Sequence, residues 1–224
     1  MSVRVVTEVA PKRAFASALG WPGWSRGGRT EDDALEALLE YGPRYASVAR
    51  RAKIAFRAPA TTRGVTVVER LEGGGGTEFG VPGSAAAAED GPISPAELRR
   101  LVALLRAAWA TFDASARKAD GVQLRLGPRG GGRQVSKIIE HVRDADVAYL
   151  AQLGSRAPAV SDATAERAIA LLHRAFVDTL TALTRGEPLA DPNKVRRPWT
   201  PRYAARRSAW HALDHAWEID DRST

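Results

Sequence analysis

Histidine carries the richest chemistry in this chain, and there are only four: His141, His173, His211 and His215. All fall within stretches of helical periodicity. His211 and His215 stand four residues apart, so they leave one helical face with Cβ atoms about 5 to 6 Å apart. At that spacing two imidazoles can reach one cation. The segment His211-Ala212-Leu213-Asp214-His215 lacks the glutamate that follows the first histidine of a zincin helix, which disfavours a zincin protease. A third ligand must then come from elsewhere. His141 is the better candidate, mid-helix on the flank of an apolar stripe beside the small residues Ala145 and Ala148. The plain alternative is a satisfied histidine at the edge of a core. His173, near Ile169 and Phe176, reads as a structural residue that can still approach the site.

Around the pair, the helical wheel places Ala204, Ser208 and Glu218 on the histidine face and Tyr203, Trp210, Leu213 and Trp217 on another. The aromatic face is expected to pack and the histidine face to line a cavity. Glu218, one turn beyond His215, is a candidate acceptor for a ligand's far nitrogen or a general base; otherwise it is a surface carboxylate near an arginine. Asp214 can orient a ligand or pair with Arg207. Arg206, Arg207 and Tyr203 can meet an acidic substrate or the carboxylate of a thiol. Trp210 and Trp217 share a stripe with Leu213 and read as core. The Gly-rich stretch 127–132 lacks the Lys-Ser/Thr ending of a phosphate-binding loop and reads as a flexible connection.

These residues sit in a 224-residue chain, long enough for one large domain or two small ones. With 44% hydrophobic and 26% charged residues it falls in the globular range, which argues against disorder throughout. The absence of cysteine excludes disulfides, thiolate zinc sites, cysteine-held iron–sulfur clusters and cysteine nucleophiles, so any metal must be held by His, Asp or Glu. No apolar run approaches the length of a membrane span and the N-terminus lacks a signal peptide's apolar core, so a soluble cytoplasmic protein is expected. The net charge is +7, yet arginine supplies 28 of the 33 basic residues and these are scattered among acids along the whole chain. Nucleic-acid binding is therefore disfavoured, because a phosphate-tracking protein concentrates its cations on one face.

Two low-complexity stretches, Gly73 to Gly76 and Val81 to Pro92, place a domain boundary at 82–93, with a small α+β domain over 1–81 and a helical domain over 94–224. In the first, Val3 to Val9, Ala14 to Leu19 and Gly64 to Leu71 read as strands, and Trp21-Pro22-Gly23 as a turn. One helix lies between them, capped by Thr30 and carrying acids in its first turn. In the second, four helices are expected: from Ser94-Pro95 to about Lys118, from about Gln134 to Leu153, from Ser161 to Gly186, and from Thr200-Pro201 to about Asp220. The fold class is thus an α+β domain followed by an all-α four-helix bundle.

The pattern His141-Val142-Arg143-Asp144-Ala145-Asp146 on the second of these helices, followed by Ala209-Trp210-His211-Ala212-Leu213-Asp214-His215 on the fourth, resembles the DinB-like superfamily of metal-binding four-helix bundles over about residues 94 to 221. That resemblance implies His141, His211 and His215 as ligands of a divalent ion, most often zinc or nickel, with positions left for water or substrate. Similar proteins include thiol-dependent S-transferases and isomerases, among them the mycothiol-dependent maleylpyruvate isomerase, and others that look like metal-dependent hydrolases. It therefore implies a metal-dependent enzyme acting on a small molecule, using a thiol such as mycothiol; hydrolysis without a thiol is one alternative. The stretch Phe15 to Tyr45, with Trp21-Pro22-Gly23-Trp24, Gly28, Thr30 and Ala34-Leu35, looks like the HicB-type antitoxin fold, in which a small α+β domain is an interaction module. The other alternative follows from it: a binding or regulatory protein with a structural metal. If exposed, Trp21 and Trp24 would form a contact surface for the helical domain, a substrate or a second subunit, the last making a homodimer; if not, they form a packed turn.

Overall fold

The computed structural model of the chain describes residues 2–126, 132, 134–159 and 164–223. The expected helix start at Ser161 and most of the Gly-rich stretch 127–132 lie outside them. A small mixed sheet comes first and four long helices follow. The strands are β1 (Val3–Val9), β2 (Ala14–Ala18), β3 (Ser25–Gly28) and β4 (Val65–Glu72), in the order β3-β2-β1-β4. β1 runs antiparallel to β2 and parallel to β4, and β2 runs antiparallel to β3. The parallel pair needs a long crossover. Two helices supply it, α1 (Glu31–Glu40) and α2 (Gly42–Arg51), where the sequence suggests one.

β2 is buried along its whole length because both faces are covered. Its alternate residues Ala14, Ala16 and Ala18 are small, which lets α1 settle on that side through Ala34, Leu35 and Leu38. The other side carries Phe15, edge-on to Trp210 at 6.1 Å, and Ser17, which accepts from Arg206 at 3.4 Å. α1 is closed by a reciprocal cap between Thr30 and Asp33. The Trp21–Trp24 turn is packed, with Trp24 fully buried. Trp24 donates to Leu38 O at 2.8 Å and stacks on Tyr45, whose hydroxyl donates to Pro22 O at 2.9 Å. Gly23 brings this turn onto the helical part: a Cβ there would come within 2.6 Å of Leu213.

A short helix α3 (Gly75–Phe79) precedes the segment 82–93, which is pinned to the last long helix. The long helices are α4 (Pro95–Lys118), α5 (Val135–Gln152), α6 (Ala165–Arg185) and α7 (Pro201–Arg222). Ser94, Thr164 and Thr200 cap α4, α6 and α7 through their side chains. Arg202 donates to the carbonyls of Asp90, Gly91 and Pro92 and to Glu97, and Tyr203 donates to Gly83 O at 2.6 Å. Arg206 makes a bidentate pair with Glu89 at 2.6 and 2.8 Å, and both side chains are buried. Arg206 is therefore engaged by Glu89 in holding the 82–93 segment to α7. From Tyr203 to Leu213 every residue of α7 is buried, so neighbouring elements cover this stretch on every face and not on one alone. The sheet unit, the 82–93 segment and the other long helices together enclose it.

One polar network ties the four long helices to each other. Trp109 of α4 donates to Ser208 of α7 at 3.0 Å, and Ser208 donates to Asp146 of α5 at 2.6 Å. His173 of α6 lies 3.4 Å from the second Asp146 oxygen and stacks flat on Trp109, with ring centroids 3.8 Å apart. Asp146 is 1% exposed: Oδ1 accepts from Ser208, while Oδ2 faces the His173 ring without a hydrogen bond among the described residues.

Candidate metal centre

α7 offers His211 and His215 from adjacent turns and α5 offers His141 from the helix packed alongside. The three side chains meet: His211 Nε2 lies 3.2 Å from His141 Nε2 and 3.2 Å from His215 Nε2. All three ligand atoms fall within 4.8 Å of one another. Two nitrogens bound at about 2.05 Å to one tetrahedral ion would stand about 3.3 Å apart, so the observed spacing fits such an ion with little movement. Among the described residues, this cluster of possible ligands contains the three histidines and no fourth group. His211 is buried, and His141 and His215 are partly so.

Glu218 sets the protonation of one ring. Its Oε2 accepts from His215 Nδ1 at 2.7 Å, and a carboxylate can only accept. His215 Nδ1 therefore carries the proton, and in the neutral ring Nε2 bears the lone pair that faces the other histidines. Arg222 fixes the carboxylate in turn, donating to Glu218 Oε1 at 2.5 Å. The hydrogen bond from His215, against the opposing effect of burial and with further help from Arg222, holds the Glu218 carboxyl below its ordinary value.

Arg207 stands one turn before His211 and is buried. Its guanidinium lies over the rings of Tyr149 at 5.3 Å and Trp210 at 4.7 Å, and Nη1 is buried without a hydrogen-bond partner among the described residues. Tyr149 itself lies 6.0 Å from His211, ring to ring. Burial pushes the Tyr149 hydroxyl up, with Arg207 opposing. A buried guanidinium with donors to spare, one turn from three converging imidazoles, is equipped to hold an anionic group.

The structure brings together His141, His211, His215 and Glu218, and sets Arg207 beside them. His173 is kept apart by Asp146 and Trp109. Asp214 pairs with Arg26 of β3 at 3.0 Å and not with Arg207. Asp146 is the residue that pattern reading passes over. Its signal is in the sequence nonetheless: it lies four residues after Val142 and three before Tyr149, a carboxylate in register with the apolar stripe of α5. Among known proteins, no family model, no curated protein and no solved structure matches this chain.

Proposed function

We propose that the four long helices form a DinB-like bundle and that the protein is a metal-dependent enzyme acting on a small molecule, by thiol-dependent S-transfer or isomerisation. The observation that carries this reading is the convergence of three histidine Nε2 atoms within 4.8 Å, His211 lying 3.2 Å from each of the others, with Glu218 on the far nitrogen of His215. His141, His211 and His215 would hold the ion, zinc or nickel by the resemblance. When bound, a divalent ion among three neutral imidazoles keeps its full double charge and lowers the pKa of a water or thiol that reaches it.

The chain's own residues do the rest. Glu218 holds His215 in the tautomer whose Nε2 is a ligand, and Arg222 keeps Glu218 ionised and in place. Arg207 binds the anionic end of the substrate or of the thiol, with Tyr149 and Trp210 fixing the guanidinium plane. The chain contains no cysteine, so a reacting thiol comes from a low-molecular-weight compound such as mycothiol. Three protein ligands leave a position for a reactant, which separates this reading from a closed structural metal site.

The test is a titration of cobalt-loaded protein with a small thiol, followed by absorption spectroscopy. A thiolate-to-cobalt charge-transfer band that is absent in the His211→Ala variant is the expected result. Cobalt bound at the three histidines with no such band would overturn the thiol reading.

A further inference from the structure

Trp210 and Asp214 each precede a metal-site histidine by one residue, so they leave α7 about 100° round the helix from it. There they line a different feature. Between the β2–β3 end of the sheet and α7 lies a cavity of about 330 Å³, whose wall also holds Lys12, Arg13, Arg26 and Arg29. Four cations thus face one carboxylate, in a chain whose basic residues are otherwise interspersed with acids.

These cations differ in how they are engaged. Arg26 is fixed, paired with Asp214 at 3.0 Å and lying over the Tyr41 ring at 3.7 Å. Lys12, Arg13 and Arg29 have no carboxylate partner among the described residues. The nearby acid Glu78 is turned to the Lys12 backbone, accepting its N–H at 2.8 Å. Arg13 is seated by Gly80: a Cβ at that position would come within 2.7 Å of Arg13 Nη1, and the φ of 107° there is one that favours glycine. Asp214 uses Oδ1 for Arg26, which leaves Oδ2 able to accept from a ligand.

We propose that this cavity binds the phosphate or carboxylate group of a small molecule that carries a hydroxyl or ammonium group beside that anion. Lys12, Arg13 and Arg29 neutralise the anion, guanidinium forks suiting either oxyanion. Asp214 accepts from the neighbouring hydroxyl or ammonium. A single cluster of cations around one cavity fits a small anion better than a nucleic-acid backbone, which is tracked along a stripe or groove. The site is separate from the histidine centre and does not depend on the reading of that centre.

Trp210 lines the cavity and reports on it. Tryptophan fluorescence, to which five other tryptophans also contribute, is followed as inorganic phosphate, and separately malonate, is titrated at constant ionic strength, with Trp210→Phe in parallel to assign the change. Saturable binding of at least one is expected, weakened at least about tenfold in Arg13→Ala/Arg29→Ala. It should be unchanged in Arg50→Ala/Arg51→Ala, which removes two exposed cations elsewhere. The preferred anion distinguishes a phosphate from a carboxylate ligand. His215→Ala should keep the affinity; loss there would place the anion on the histidine centre and overturn the proposal. Equal weakening in both double variants, or no saturation with either anion, would also overturn it. So would a single-stranded oligonucleotide that binds more tightly than phosphate and is lost in Arg13→Ala/Arg29→Ala.

Discussion

Two histidine constellations share helix α5, and they face opposite things. His173 meets a carboxylate on its ring nitrogen and an indole against its face, so the protein itself supplies its partners. His141, His211 and His215 instead turn their Nε2 atoms toward one another, with contacts of 3.2 Å from His211 to each of the other two. The first arrangement is what a buried polar network needs in order to lock helices together. The second gathers three ring nitrogens within 4.8 Å of one another, where a divalent ion could be held. Residue type and helical placement are the same in both; what differs is what the ring nitrogens face, a carboxylate in one case and other imidazoles in the other.

Substitutions can break this contrast from either side. Asp146→Ala removes the carboxylate that Ser208 and His173 both address, and thermal or denaturant unfolding should show a loss of about 3 kcal/mol with metal affinity of the folded protein retained. Glu218→Gln should do the reverse, leaving unfolding little changed while metal affinity, measured by competition with a chelator, falls about tenfold. Trp109→Phe keeps a ring under His173 but deletes the donor to Ser208, and should lower stability by about 1 kcal/mol. The smallest effect belongs to the part-buried pair of Glu97 and Arg202, as a control outside both constellations. Hydrogen bonding to Arg202, against the effect of burial, holds the Glu97 carboxyl below its ordinary value. The pair's contribution is therefore full above the unfolded carboxyl's pKa of about 4.3 and is lost as pH falls through the lower folded value. Because solvent screens the pair, Glu97→Gln should flatten the acid limb of the stability curve by less than about 1 kcal/mol.

Much of this was legible in the sequence, and the failures have physical causes. The long helices are announced by caps and apolar stripes, and Ser94, Thr200 and Gly186 mark their ends within the described residues. The spacing of His211 and His215 places them on one face, and the position of His141 on the flank of a stripe makes it available. That the three meet depends on how α5 lies against α7, which spacing within either helix cannot determine. β3 is hidden because Ser-Arg-Gly-Gly has no alternation, and α2 because Gly42 and Pro43 open it and only Tyr45, Val48 and Ala49 form its apolar face. Trp24 and Phe56, distant in sequence, hold that helix through Tyr45. The same tertiary effect encloses α7, where Arg206 and Ser208 are buried because Glu89, Asp146 and Trp109 supply their partners.

The central claim, that His141, His211 and His215 together hold one divalent ion, is tested most directly by the metal content of the purified protein. Plasma mass spectrometry is run beside His211→Ala, His215→Ala and His173→Ala variants, each after reconstitution with zinc or nickel and removal of excess. The account predicts about one ion per chain in the native protein and in His173→Ala, and none retained in the other two. No retained ion in the native protein, or equal retention in all four, would contradict it.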